Sequence, residues 1–166
     1  MFYLDLFGSL NRATVEYVLV GGLALNLHGI ERATLDVDLV VALEPGNLNR
    51  AIDVFRDLGL KPVAPVALDD ARDPANLARW RDEKRMIAFG VRNPTAHTPT
   101  VDLLVHSPVP ISTLLAGAVR KNLGGVEIPV AGIDDLIAMK TASGRTIDLA
   151  DVRALNKLKQ LQRSKP

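Results

Sequence analysis

Residues Val18 to Leu43 read VLVGGLALNLHGIERATLDVDLVVAL, and two aspartates, Asp36 and Asp38, interrupt an otherwise apolar strand pattern. Taking an unpaired carboxylate out of water costs several kcal/mol, comparable with the net stability of a small domain. A chain that keeps two of them there must expose that strand at an edge or neutralise the carboxylates in place. Strand side chains alternate between faces. The pattern therefore assigns Leu35, Val37, Leu39, Val41 and Leu43 to the core and puts Asp36 and Asp38 together on the other face. Like charges about 7 Å apart along a strand raise each other's pKa unless a cation sits between them. Mg²⁺ is suited to that place, because it takes hard carboxylate oxygens and keeps positions for water and phosphate.

A second segment repeats the pattern. In TVDLLV, Val101, Leu103 and Val105 face one way and Asp102 the other. If the two strands are neighbours, three carboxylates share a sheet face. That is enough to hold two divalent ions, which can clamp the attacking and leaving oxygens of a phosphoryl transfer. Upstream, Gly21-Gly22 closes a strand and opens a helix. Free N–H groups at such a start attract phosphate, and the missing Cβ atoms let it come close.

Apolar periodicity alternates between strand and helix along the chain. Strands are expected at 17–21, 34–43, 85–92, 101–106 and 126–131. Helices are expected at 22–29, 47–59, 75–84 and 111–125, with two more in GIDDLIAMKTASG and TIDLADVRALNKLKQLQ. Segment 61–74 reads as loop. The order predicts a single α+β domain over 1–166, with an α/β core at 1–131 and closing helices at 132–166. At 48% apolar and 23% charged residues, the chain has the composition of a globular protein. It has no cysteine, which excludes disulfides, thiolate nucleophiles and zinc–thiolate sites. Asp5 interrupts the first apolar run and no basic segment precedes it, so neither a signal peptide nor a membrane span is expected, and the default location is the cytoplasm.

Gly-Gly, then DVD after the 13 residues Leu23 to Leu35, then a later strand aspartate: this pattern resembles the nucleotidyltransferase superfamily of the DNA polymerase β type. ERATLDVDLVV and the late segment GIDDLIAMKTASGRTIDLADVRAL are similar to its AbiEii-like branch, bacterial toxins of toxin–antitoxin pairs. The resemblance implies a mixed sheet with flanking helices and a helical C-terminal end. It implies NMP transfer from an NTP to a hydroxyl of an RNA, such as tRNA, or of a protein, with two Mg²⁺ ions and a possible cognate antitoxin. Gly21 and Gly22 would hold the triphosphate. Asp36, Asp38 and Asp102 would be the metal ligands, with Asp102 also helping to deprotonate the acceptor. Arg32, Thr34 and Lys140 would serve the nucleotide. Many members carry Gly-Ser at the turn, and Gly22 lacks that hydroxyl. The alternative is a catalytically silent nucleotide-binding or interaction module of the same fold.

Other features carry competing readings. From Lys140 onward seven basic residues (Lys140, Arg145, Arg153, Lys157, Lys159, Arg163 and Lys165) face two acidic ones, giving a +5 tail on a chain of net charge +1. Such a tail is either a solvated helix face or a contact for a polyanion. Asp148 and Asp151 suit either a cap for the last helix or ion pairs with Arg145 or Arg153. Trp80 reads as a half-buried helix position, and His28, His97 and His106 lack metal-ligand spacing.

Overall fold

A computed structural model describes residues 1–164. Seven strands form one mixed sheet in the order β3-β4-β5-β2-β1-β7-β6. At its centre β1 (Tyr17–Val20) runs antiparallel to β2 (Val37–Val41), and β2 runs parallel to β5 (Val101–Leu104). β4 (Ala88–Arg92) and the two-residue β3 (Lys61–Pro62) extend one edge, both antiparallel to their neighbours. β7 (Val126–Val130) lies parallel to β1 on the other side and carries β6 (Val119–Leu123) as the outer strand. All four residues of β1 are buried, as suits a central strand covered on both faces.

Helices α1 (Phe2–Arg12) and α3 (Pro45–Asp57) bring Leu6, Phe7, Leu10, Leu48, Ile52 and Phe55 into the core with 0% exposure. The sequence pattern had assigned no element to the first sixteen residues, yet Leu6, Phe7 and Leu10 lie on one helical face. α3 starts at Glu44, whose carboxylate accepts the N–H groups of Gly46 and Asn47. The buried Asn47 then joins three elements: its Oδ1 accepts from the Glu16 N–H, and its Nδ2 donates to the carbonyls of Glu16 and Ala42.

Two expectations need correction. The stretch 111–125 is not one helix: α5 (Ile111–Gly117) stops early and β6 follows, joined to β7 by Gly124-Gly125. Both glycines have positive φ, 57° and 88°, the backbone that a tight two-residue hairpin turn requires. The strand assigned to 34–43 begins only at Val37, so Leu35 is 77% exposed and Leu43 half-buried, while Val37, Leu39 and Val41 are buried. Pleat alternation applies only inside a ladder, and residues 30–36 form a loop. Asn26 of α2 (Gly21–Leu27) pins that loop, accepting the Arg32 N–H at 2.8 Å and donating to the Arg32 carbonyl at 3.0 Å.

In 61–74 the chain forms β3 and a short 3-10 turn, Leu68–Arg72, that leads into α4 (Pro74–Lys84). Trp80 of α4 is 3% exposed and stacks on Phe89 of β4 at 5.7 Å, more deeply buried than its helix pattern suggested. α6 (Ile133–Ser143) and α7 (Thr146–Arg163) close the chain as a packed helical pair, with Gly144 in the left-handed conformation between them. Among the described residues no helix is long and apolar enough to cross a membrane.

Candidate active site

Asp38 and Asp102 are register partners across the parallel β2–β5 pair, which sets them side by side on one face. Asp36 stands just ahead of β2, exposed at the entrance. The three carboxylates line a cleft of ≈ 780 Å³, with Gly21, Gly22, Arg32, Thr34 and Lys140 also in its wall. Sequence reasoning missed Arg145, His106 and Ile87, which line the same cleft.

The glycines make room for these side chains. Gly21 has φ +69°, and a Cβ added there would lie 1.9 Å from Asp38 Oδ2, so any other residue would displace the carboxylate. A Cβ on Gly22 would fall 2.8 Å from Thr34 Cβ, so the loop before the first aspartate packs directly on the Gly-Gly turn. Gly90, opposite Asp102 on β4, does the same for the third carboxylate: its Cβ would lie 2.8 Å from Asp102 Oδ1. An isolated glycine within a strand often marks such a close approach, and this was the available sequence signal.

Burial and the neighbouring Asp36 raise the pKa of Asp38. Lys140, Arg145 and the Gly22 N–H oppose that rise without cancelling it. Burial, with Asp38 and Asp36 beside it, pushes Asp102 up to about 6. These carboxylates are therefore held at a cost when ionised. Folding stability should respond with a definite sign. Above pH 6 a folded-state pKa higher than the unfolded one penalises the ionised fold, and the penalty fades as pH falls through 6. Asp102→Asn is thus expected to raise the melting temperature at pH 7.5, with the gain shrinking toward pH 5. Calorimetry in EDTA at both pH values checks this, and an equal gain at the two would contradict it.

Opposite the carboxylates lies an ionic chain. Lys140 is 9% exposed, and its ammonium sits 3.0 Å from Asp148 and 2.9 Å from Asp151. Arg145 contacts Asp148 at 2.7 Å, and Arg32 contacts Asp151 at 3.2 Å. Burial pushes the Asp148 carboxyl up, but hydrogen bonds from Arg145, Lys140 and Ser143 outweigh it and hold the group well below the usual carboxylate range. Of the alternatives for the two late aspartates, the ion pair Asp148–Arg145 is present. Asp151 takes Lys140 and Arg32 as its partners, not Arg153, and no side chain caps α7. This consumes part of the basic tail: Lys140 is buried between its two carboxylates, the exposed Arg145 pairs with Asp148, and Lys159 pairs with Asp134. Arg153, Lys157 and Arg163 remain on the exposed surface of α7, and Lys165 lies outside the described residues. His28 bonds the Ala131 carbonyl at 2.8 Å, a structural contact.

Among the described residues no group of three or more His, Cys, Asp or Glu side chains by itself encloses a metal ion. The donor set nonetheless fits Mg²⁺. It offers hard oxygens that repel one another, and Mg²⁺ needs only one or two carboxylates when phosphates and waters complete its shell.

A mixed sheet with paired strand carboxylates beside a Gly-Gly turn and a helical C-terminal end is the arrangement expected of a nucleotidyltransferase, and the family match over most of the chain makes the protein a transferase of this class. The profile of the nucleotidyl transferase AbiEii toxin family, of type IV toxin–antitoxin systems, matches residues 5–159, and the chain belongs to that family. Solved structures of similar fold include ANT(2″)-Ia in complex with adenylyl-2″-tobramycin. The TM-score is 0.60 at 9% identity, over 98% of this chain and 94% of that one. An antigenic nucleotidyltransferase-like protein from Paracoccidioides brasiliensis matches with a TM-score of 0.56 at 19% identity, over 95% of this chain and 75% of that one. No curated protein sequence matches significantly.

Proposed function

We propose that the protein is a Mg²⁺-dependent enzyme moving an NMP from an NTP to a hydroxyl of an RNA, such as tRNA, or of a protein side chain. We read it as the toxin of a cytoplasmic toxin–antitoxin pair. The observation that carries the chemistry is the register pairing of Asp38 with Asp102 in a cleft that Gly21-Gly22 and three cations also line. Residues 1–131 act as the catalytic core of a single domain, and 132–166 supply Lys140 and the segment that holds it.

Asp36, Asp38 and Asp102 would hold two Mg²⁺ ions, which when bound neutralise the carboxylates and the charge developing on the phosphates. The Gly21-Gly22 turn would offer its backbone to the triphosphate, with Asp38 packed against Gly21 and Thr34 against Gly22. Arg32, Lys140 and Arg145 supply positive charge to the same cleft. The acceptor hydroxyl oxygen bonds to the α-phosphorus as the bond to the bridging oxygen breaks and pyrophosphate leaves. Asp102, set beside Asp38 on the same face, would help take the proton of the acceptor hydroxyl.

The test is incubation of the protein with Mg²⁺, each α-labelled NTP in turn, and total bacterial RNA or protein. Label incorporated into either pool, with pyrophosphate released, is the expected result. Tight NTP binding by calorimetry with neither incorporation nor pyrophosphate release would favour the silent nucleotide-binding module.

A further inference from the structure

We propose that Asp151 is a positioning residue for the nucleotide, aiming two cations into the cleft without lining it. The inference rests on the reading of this cleft as the NTP site. Asp151 is 5% exposed and stands behind the cleft wall, whereas Arg32 and Lys140 are part of that wall. One carboxylate meets both cations: Arg32 Nε lies 3.2 Å from Oδ1 and donates to Oδ2 at 3.5 Å, and Oδ2 also lies 2.9 Å from Lys140 Nζ. The cations come from unrelated parts of the chain, one from the loop before the first aspartate and the other from α6. A single carboxylate on α7 therefore sets both together.

The Arg32 geometry is consistent with aiming. Its backbone is pinned by Asn26, its Nη1 donates to the Ala33 carbonyl at 2.7 Å, and its Nε points to Asp151. Those bonds fix the guanidinium plane, while Nη2 makes no hydrogen bond among the described residues. An arginine held this way loses little rotamer freedom when it meets a phosphate, which is how preorganisation improves affinity. Stability alone accounts poorly for the arrangement, since buried ion pairs are often no better for folding than apolar packing. Asp148 differs: it lines the cleft itself and holds Lys140 together with Arg145.

The experiment measures the affinity of non-hydrolysable analogues of the four NTPs, with Mg²⁺, for the full chain and for Asp151→Asn, Arg32→Gln and the double variant. Each single change is expected to weaken the best-bound analogue by ~10-fold, and the double variant to fall well short of the hundredfold product, because Asp151 acts through Arg32. Mn²⁺ affinity, read by electron paramagnetic resonance, should stay at the wild-type value in Asp151→Asn, which a collapsed cleft would not allow. If Asp151→Asn does not fold, Asp151→Glu is read instead, and a weakening of ~3-fold is expected because the longer stem cannot serve both cations. Wild-type affinity in the Asp151 variants, or losses that simply multiply with Arg32→Gln, would overturn the proposal and leave the NTP site standing. A wild-type protein that binds no analogue would overturn the NTP-site reading itself.

Discussion

Asp38→Asn is expected to lower nucleotidyl transfer by about a thousandfold while leaving the metal-free protein at least as stable as the wild type. The two halves of that expectation have the same origin. Burial and Asp36 raise the Asp38 pKa, so the folded protein holds this charge at a cost. Asparagine keeps the volume next to Gly21, where an added Cβ would come within 1.9 Å of the carboxylate, and removes the charge. What it cannot do is help neutralise a divalent cation beside Asp102 on the β2–β5 pair. Incorporation of α-labelled NMP, read beside a thermal melt in EDTA, separates the effects. A variant that loses both activity and stability would make Asp38 a structural residue. One that keeps activity would remove the carboxylates from the chemistry.

The site is legible in sequence wherever a residue's reason is local. Alternation within VDLVV and VDLL puts Asp38 and Asp102 on a face away from Val37, Leu39, Val101 and Leu103, and the structure has that arrangement. Gly21 follows from a backbone that only glycine adopts easily, at φ +69°. Leu35 was misplaced because alternation was extended past the end of the ladder into a loop whose shape Asn26 sets through Arg32. The hairpin after α5 was hidden because AVRKNLGG satisfies a helix pattern with a glycine stop as well as it does a strand and turn; only the pairing of β6 with β7 decides. The ionic chain was least legible. Arg32 and Asp151 are 119 positions apart, and no periodicity brings them together. Nothing in the pattern of GIDDLIAMKTASG shows that the Lys140 ammonium is buried between two carboxylates.

That burial makes Lys140 a residue whose loss should damage the fold as well as the cleft. Lys140→Met keeps the length and apolar stem of the side chain and removes only the ammonium. Asp148, at 0% exposure, is left with Arg145, and Asp151, at 5%, with Arg32. Breaking a buried pair from one side typically costs 3–5 kcal/mol, and because each carboxylate keeps one cation the lower end, about 3 kcal/mol, is expected in urea unfolding at pH 7. The pH dependence identifies the cause. In the wild type Asp148 is held well below the usual carboxylate range, so its contribution is present above the unfolded-state pKa, begins to fall below it and is lost only as pH falls through the depressed folded-state pKa. The gap between wild type and variant should therefore persist at pH 5 and narrow only as the solution is taken from about pH 4 toward pH 2. Adding Asp151→Asn to Lys140→Met should recover part of the loss at pH 7, since one buried charge then no longer lacks its partner. A gap that stays constant down to about pH 2 would trace the damage to packing of the methionine, and the ionic chain would lose its place as the joint between the helical pair and the loop before β2.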